Sequence, residues 1–413
     1  MAGPRQPRAT RLHDPFLVRT RSGGRARRLE TGRAPIYLDN AATTFPKPPG
    51  TLQSMAEMFS RVGASPGRGG HAMAAEAERL VGETRRQLSS FLDAPDPDRV
   101  VFTSNATDAL NLVIQGMANP GDHFVATELD HNSVLRPLHH LAEQGRITFD
   151  LARFDDRGFV DPDEVERLIR PNTRAVVVSH ASNVIGTIQP IAELGRRCSE
   201  RMVPLVVDAA QTAGRIPVGL TACNASAIVF TGHKSLFGPP GIGGLVLHPD
   251  LVVRTTRFGG TGIDSRSLEH TQDYPYRLEA GTANLIGILG LSIGLDHVLQ
   301  TGVEAIHTKE MALLERLRDG LSGLRSVEMY AAEDLTDHVA ILAANVQAMS
   351  PQDVGAILDR DFGIAVRVGL HCAPMAHRRL GTIECGAVRF SPGVFNTEEE
   401  VDRVIDAMSV ISH

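Results

Sequence analysis

Between residues 99 and 248 the chain repeats one pattern. Short apolar, β-branched stretches recur as "RVVFTS" (99–104), "DHFVAT" (122–127), "RITFDLAR" (146–153) and "RAVVVSH" (174–180). They continue as "PLVVDAA" (204–210), "ASAIVFTG" (225–232) and "GIGGLVLH" (241–248). Helix-length segments follow the first four: "NATDALNLVIQGM", "NSVLRPLHHLAEQG", "DPDEVERLIR" and "PIAELGRRCSERM". In the third, Asp161 is placed to cap a helix that Pro162 opens. Strands that are apolar along their whole length are buried on both faces, and strand–helix alternation makes their sheet mainly parallel. The expected class is α/β, with a large domain around a mainly parallel seven-stranded sheet.

In such sheets ligands sit outside the carboxyl ends of the strands. Polar clusters fall just after five of those ends: Ser104–Thr107, Asp130–His131, Ser179–Asn183, Asp208–Gln211 and Thr231–Lys234. One such cluster is an ordinary loop. Five on one rim point to a site.

After residue 282 the rhythm changes. Two helical stretches lead into strand-like "SVEMYA", "HVAILAANV", "GIAVRVG" and "GAVRFSPG", with helices over 350–360 and 396–411. This reads as a small α+β C-terminal domain. The expected organisation is a large domain over 51–282 and a small one built from 34–50 and 283–413. Residues 1–33 are Arg-rich, acid-poor and without periodicity, and are expected to be a disordered extension.

The formal charge of −6 gives no reason to expect a nucleic-acid partner. No run of 18 uninterrupted apolar residues suggests a membrane span. The four cysteines (Cys198, Cys223, Cys372, Cys385) form no CxxC pair, and no signal-peptide core opens the chain. A reducing cytoplasm is the expected compartment.

Lysine is scarce: Lys47, Lys234 and Lys309 are all there are. Lys47, between prolines, and Lys309, in a charged helical stretch, read as solvated. Lys234 follows the apolar "SAIVF" in "TGHKSLFGPPGIGG", among small residues that permit close approach. A lysine held there can have a lowered amine pKa and form a Schiff base. Asp208 ends "PLVVD", and a carboxylate at a buried strand end needs a partner. A Schiff-base lysine with an aspartate on a ring nitrogen is what a pyridoxal phosphate site requires. "TSNATDALN" adds a helix N-terminus suited to a phosphate.

Nine stretches now stand in one order: "YLDNAAT", "NATDALN", "LDHNSVL", "SHASNVIGT", "VDAAQTAG", "TGHKSLFGPPGIGGL", "EAGTAN", "GLHCAP" and "VRFSPGVFNTEEEVD". The chain from about residue 35 onward resembles the cysteine desulfurases and selenocysteine lyases of the class V aminotransferase fold. These are pyridoxal 5′-phosphate enzymes of fold type I. The resemblance implies that Lys234 carries the cofactor and that Asp208 pairs with its pyridine nitrogen. His131 would stack on the ring, and Gln211 and Asn183 would contact the ring oxygen or the substrate. Ala106, Thr107, Thr231 and His233 would hold the phosphate, joined by Thr282 from a second subunit, which implies a homodimer. Arg389 would bind the substrate α-carboxylate, its blander reading being a salt bridge, while Asn40 and Ala41 would line the substrate pocket.

Three readings of Cys372, in "RVGLHCAPMAH", are open: a buried structural thiol, a metal ligand with His371 and His377, or a nucleophile. Paired zinc-ligand spacings are absent, and no metal is expected. Cys198 and Cys223 read as structural, and Cys385 as the start of a strand. Flanking His371 and nearby Arg367 favour the nucleophile at Cys372, because cationic neighbours stabilise a thiolate. The implied reaction converts L-cysteine to alanine and leaves a persulfide on Cys372, with Lys234 and His131 as proton carriers. The short "HCA" loop resembles the group that hands sulfur to a small acceptor protein. "APMAH" departs from that group's commoner "HCAQP"-like continuation. Rival readings are a lyase acting on L-selenocysteine or splitting cysteine or cystine to pyruvate, and a non-catalytic scaffold.

Overall fold

A computed structural model describes residues 35–67, 69–263 and 266–413; the extension expected over 1–33 lies outside the described residues. The first strands are β1 (Ile36–Tyr37), β2 (Val100–Thr103), β3 (Asp122–Thr127), β4 (Ile147–Ala152) and β5 (Thr173–Ser179). Then come β6 (Leu205–Asp208), β7 (Ala227–Thr231), β8 (Gly243–Leu247), β9 (Val327–Tyr330) and β10 (Leu342–Val346). The last are β11 (Ile364–Ala365), β12 (Arg367–Gly369) and β13 (Ala387–Phe390). The helices are α1 (Thr51–Val62), α2 (Ala72–Phe91), α3 (Ala106–Met117), α4 (Asn132–Glu143), α5 (Pro162–Leu168) and α6 (Ile191–Glu200). They close with α7 (Leu285–Thr301), α8 (Val303–Ser322), α9 (Pro351–Phe362), α10 (Pro374–Arg379) and α11 (Glu398–Ile411).

Seven strands form one sheet in the order β2–β8–β7–β6–β5–β3–β4. All neighbours from β7 to β4 run parallel, and β8 alone is reversed against β7 and β2. Period-two alternation sends Val125, Val176, Val178, Val207 and Phe230 into one apolar cluster, with Leu88 of α2 and Leu194 of α6. Phe124, Ala126, Val177, Val206 and Val229 enter the other, with Val113 of α3 and Leu138 of α4. Each such Val, Leu or Phe side chain contributes roughly 1.5–3 kcal/mol when removed from water, so covering both faces dominates the stability of this layer. Asp161 caps α5 as its sequence suggests, accepting the Asp163 amide at 2.9 Å.

A second sheet, β12–β13–β10–β9, is antiparallel throughout. Its core joins Leu342, Val388 and Phe390 to Leu314 of α8, Leu358 of α9 and Val404 of α11. Ile36 and Leu38 belong to this cluster, and β1 pairs with β11. Helix α7 behaves differently from the expected division at 282/283. Its Ile288, Leu291 and Leu295 lie in the core of the seven-stranded sheet. Cys385 precedes β13 in a turn instead of opening the strand.

Register sets the site. Asp208 pairs with Ser179, the last residue of β5, and with Val229 of β7, so β5 and β6 end level and β7 runs two residues further on the same rim.

Candidate active site

A cavity of about 210 Å³ opens at that rim, and all five polar clusters meet in it. Asn105, Ala106 and Thr107 come from the start of α3, and His131 and Ser133 from the start of α4. Ser179, Ala181 and Asn183 follow β5; Asp208, Ala210 and Gln211 follow β6; Thr231, His233 and Lys234 follow β7. Ala41 and Ala42 form another wall, and Arg367, His371 and Arg389 arrive from the smaller sheet.

Each group's chemistry follows from its surroundings. Withdrawal from water lowers the Lys234 amine to about 8, a stronger effect than the opposing charge of Asp208. Asp208 is buried, which raises its carboxyl, and its Oδ1 accepts the Ala210 amide at 2.9 Å. Burial pushes His131 down to about 4, with Lys234 adding to the shift, so the imidazole is neutral. Its Nδ1 accepts the Ser133 amide at 3.0 Å, which leaves the proton on Nε2. Burial likewise lowers His233 to about 4.

Arg389 lines the cavity and also makes the salt bridge of its blander reading. Nη2 donates to Asp39 at 2.8 Å and Nη1 to the Asn183 carbonyl at 2.8 Å, while the buried Nε has no partner. Burial lowers its pKa to about 10, so the guanidinium is still charged.

Cys372 sits on an exposed loop beside the cavity, and Arg367 Nη2 approaches its Sγ at 3.9 Å. His371 and Cys372 both hold positive φ, at 48° and 58°. Two non-glycine residues in the left-handed region cost of order 1–3 kcal/mol each unless tertiary contacts hold them. Those contacts are present. Asn183 Nδ2 donates to the His371 carbonyl at 2.6 Å, and the Asn132 amide donates to the Cys372 carbonyl at 2.7 Å.

His371 is not the cationic neighbour that adjacency suggested. Burial pushes it to about 2, against which the Arg367 carbonyl counts for little. The cation at Sγ is Arg367. Nor do His371 and His377 face Cys372 as ligands: His371 Nδ1 lies 3.2 Å from His377 Nε2. Cys198 and Cys223 are buried, and burial raises Cys198 to about 12.

One expected residue, Asn40, does not join the cavity. Asn40 donates from Nδ2 to the Ser391 carbonyl at 3.0 Å and accepts the Phe45 amide at 3.2 Å. Its side chain braces the loop that presents Ala41. Thr282, expected to act in a second subunit's site, is exposed and lines a neighbouring cleft with Arg257, Glu279 and Asn284.

Lys47 is not solvated as its place between prolines suggests. It is half-buried, burial lowers its amine to about 8, and Nζ donates to the His233 carbonyl at 2.7 Å. Thr43 Oγ1 at 3.1 Å and the Thr44 amide at 3.2 Å donate to the same oxygen. Three donors therefore fix the peptide that precedes Lys234. No local signal in "AATTFPKPP" marks this contact, which reaches 186 residues along the chain.

A family model described as aminotransferase class-V matches residues 36–404. The chain belongs to that family. Among its relatives is a probable cysteine desulfurase of Methanothermobacter thermautotrophicus, 34% identical over 91% of this chain and 94% of the relative. A cysteine desulfurase of Dickeya dadantii is 31% identical over 91% of each. The apo structure of cysteine desulfurase from Thermococcus onnurineus superposes with a TM-score of 0.86 at 34% identity, covering 92% of this chain and 94% of that one. The cysteine desulfurase CsdA from Escherichia coli gives 0.82 at 26% identity, covering 91% and 94%. No single helix among the described residues is long and apolar enough to cross a membrane.

Proposed function

We propose that the chain is a cysteine desulfurase, which moves sulfur from L-cysteine onto Cys372 and releases L-alanine. The observation that carries this reading is the pinning of the Cys372 loop, through Asn183 and Asn132, to the cavity lined by Lys234 and Asp208.

The cavity fits pyridoxal 5′-phosphate. Gln211 Oε1 and Thr231 Oγ1 are buried there without partners, and Asp208 is a buried carboxylate facing the same space. Unsatisfied buried polar atoms are costly and mark a place for a polar ligand. Lys234 would attach the group and Asp208 would pair with its ring nitrogen. His131 would stack on the ring and Gln211 would meet the ring oxygen. Ala106, Thr107, Thr231 and His233 would hold the phosphate, at the N-terminus of α3. Asn183 spends its amide on the His371 carbonyl, so its part is to hold the nucleophile's loop. When bound, the cofactor supplies an electron sink for the carbanion formed at the substrate Cα.

The protein's residues supply the rest. Arg389, braced by Asp39 and the Asn183 carbonyl, offers a charged fork to the substrate α-carboxylate. Lys234 Nζ, with a lowered pKa, takes the α-proton. Cys372 Sγ, as thiolate beside Arg367, attacks the substrate sulfur. An S–S bond forms as the C–S bond breaks, and the electron pair of that bond stays with carbon, which is then protonated. Neutral His131, with its proton on Nε2, can deliver or collect a proton at that face.

Exposure of Cys372 suits transfer of the persulfide to a small acceptor protein. Thr282, exposed on a separate cleft, suits a homodimer in which it completes the partner's phosphate site. Four free thiols suit the reducing cytoplasm.

The test is incubation of the pyridoxal 5′-phosphate-loaded protein with L-cysteine. Alanine should form stoichiometrically with a persulfide mass on the Cys372 peptide, and Cys372→Ala should abolish both. Full alanine production by that variant would sink the reading.

A further inference from the structure

The residues after the nucleophile, "APMAH", have no part in the chemistry above, yet His377 is fully buried. It lies on α10, which starts two residues after Cys372, and its ring stacks on that of His371 with centroids 5.4 Å apart. His371 Nδ1 faces His377 Nε2 at 3.2 Å, and His377 Nδ1 faces Thr382 Oγ1 at 2.8 Å. At the other end, His371 Nε2 faces the Arg367 carbonyl at 3.5 Å.

These three hydrogen bonds allow one arrangement of protons. A carbonyl only accepts, so His371 Nε2 must carry hydrogen. Burial keeps His371 neutral, so its Nδ1 is a bare acceptor. His377 Nε2 must then carry the hydrogen between the rings. His377 is also neutral, lowered by burial to about 4, so its Nδ1 is bare and takes the Thr382 hydroxyl proton. The chain thus runs one way: Thr382 to His377, His377 to His371, His371 to the Arg367 carbonyl. It ends on the residue whose guanidinium meets Cys372 Sγ. Reversing either ring would set two lone pairs or two hydrogens against each other.

We propose that His377 and Thr382 are positioning residues: their hydrogen-bond chain fixes the tautomer and orientation of His371 and so holds Arg367 and Cys372 in attacking geometry. The left-handed backbone at His371 and Cys372 needs such support. Asn183 and Asn132 hold the loop's carbonyls on the cavity side, and the histidine pair holds its back. This role explains a buried histidine on the helix that follows the nucleophile, where Leu or Ala would pack at lower cost.

The inference rests on the desulfurase reading, and the experiment separates the two. The cofactor-loaded protein and its His377→Leu, His377→Gln, Thr382→Val and Thr382→Ser variants are mixed with L-cysteine. Cofactor absorbance on substrate binding, alanine release and Cys372 persulfide are followed in one turnover and at steady state. His377→Leu should bind L-cysteine with unchanged KM and absorbance change, yet form alanine and persulfide about 10- to 100-fold more slowly, as for a misplaced reacting group. His377→Gln, which can still donate to His371, should recover most of that rate. Thr382→Val should lose about fivefold, the effect of one hydrogen bond, and Thr382→Ser should restore it. His377→Leu at the parent rate, or His377→Gln as slow as His377→Leu, would overturn the proposal. If His377→Leu does not fold, parent kinetics in Thr382→Val overturn it instead. No alanine or persulfide from the parent protein would defeat the desulfurase reading itself.

Discussion

Lys234 owes its chemistry to where its amine is kept. Burial lowers it from an ordinary 10.5 to about 8 despite the nearby carboxylate of Asp208. A lowered lysine pKa means that the neutral, nucleophilic amine prevails above about 8 instead of above 10.5. Reductive methylation of the cofactor-free protein, read by mass at Lys234, should therefore rise with pH to a midpoint near 8. A midpoint near 10.5 would show a solvated amine. The peptide before it is held by Lys47, Thr43 and Thr44 on one carbonyl. Gly214 allows the loop after β6 to close against the same turn. A Cβ there would lie 2.2 Å from the Ser235 carbonyl oxygen, and its φ of 93° suits glycine. The importance of Lys234 and Asp208 could be read from their stretches. Lys47 could not, because its burial comes from a contact 186 residues away in the chain.

Among elements, α3 matters most for the site. Asn105 caps it by accepting the Asp108 amide at 2.9 Å, and β8 packs so close that a Cβ on Gly243 would reach 2.8 Å from the Asn105 Cα. The cap thus both ends the helix and seats it on the sheet. Asn105→Ala should destabilise the cofactor-free protein by about 1 kcal/mol, read as a lower urea midpoint with unchanged slope. An unchanged midpoint would mean that the cap is idle. Elements with strong local signals were legible, such as α5 with its Asp161–Pro162 opening. Helix α2 carries its own signal, since Ala74, Ala77, Val81, Thr84 and Leu88 place its buried face at helical spacing. The run "LIGILGLSIGL" announces α7 as apolar, but an apolar helix can enter either core. Its packing on α1 and α2 settles which, and no local rule encodes that.

Across the whole molecule, the loop after β6 is tied to α8 by a buried ion pair, Arg215 Nε to Glu310 Oε2 at 2.9 Å. Burial raises the Glu310 carboxyl above its ordinary range, against the pull of Arg215. Removing one partner strands the other charge, so Arg215→Met should cost about 3–5 kcal/mol, and Arg215→Met with Glu310→Leu should recover most of it. The sign with pH follows from the raised carboxyl. The single variant should lose less stability in mildly acidic buffer, where Glu310 takes a proton, than in alkaline buffer. Denaturant melts at the two pH values check both points.

By itself the sequence determined the layer pattern, because strands apolar on both faces have few ways to be buried. It also determined the chemistry on the rim, because strand ends place the residues that follow them. Its family motifs pointed to Cys372 as nucleophile and Arg389 as carboxylate binder, the roles proposed above. Only the tertiary structure decided which neighbours matter. It took Asn40 out of the cavity, turned His371 from a cation into a neutral link, and brought in Lys47 and His377. The reason is physical. Charge state and hydrogen-bond partners depend on distance and desolvation, and both are set by residues far away along the chain.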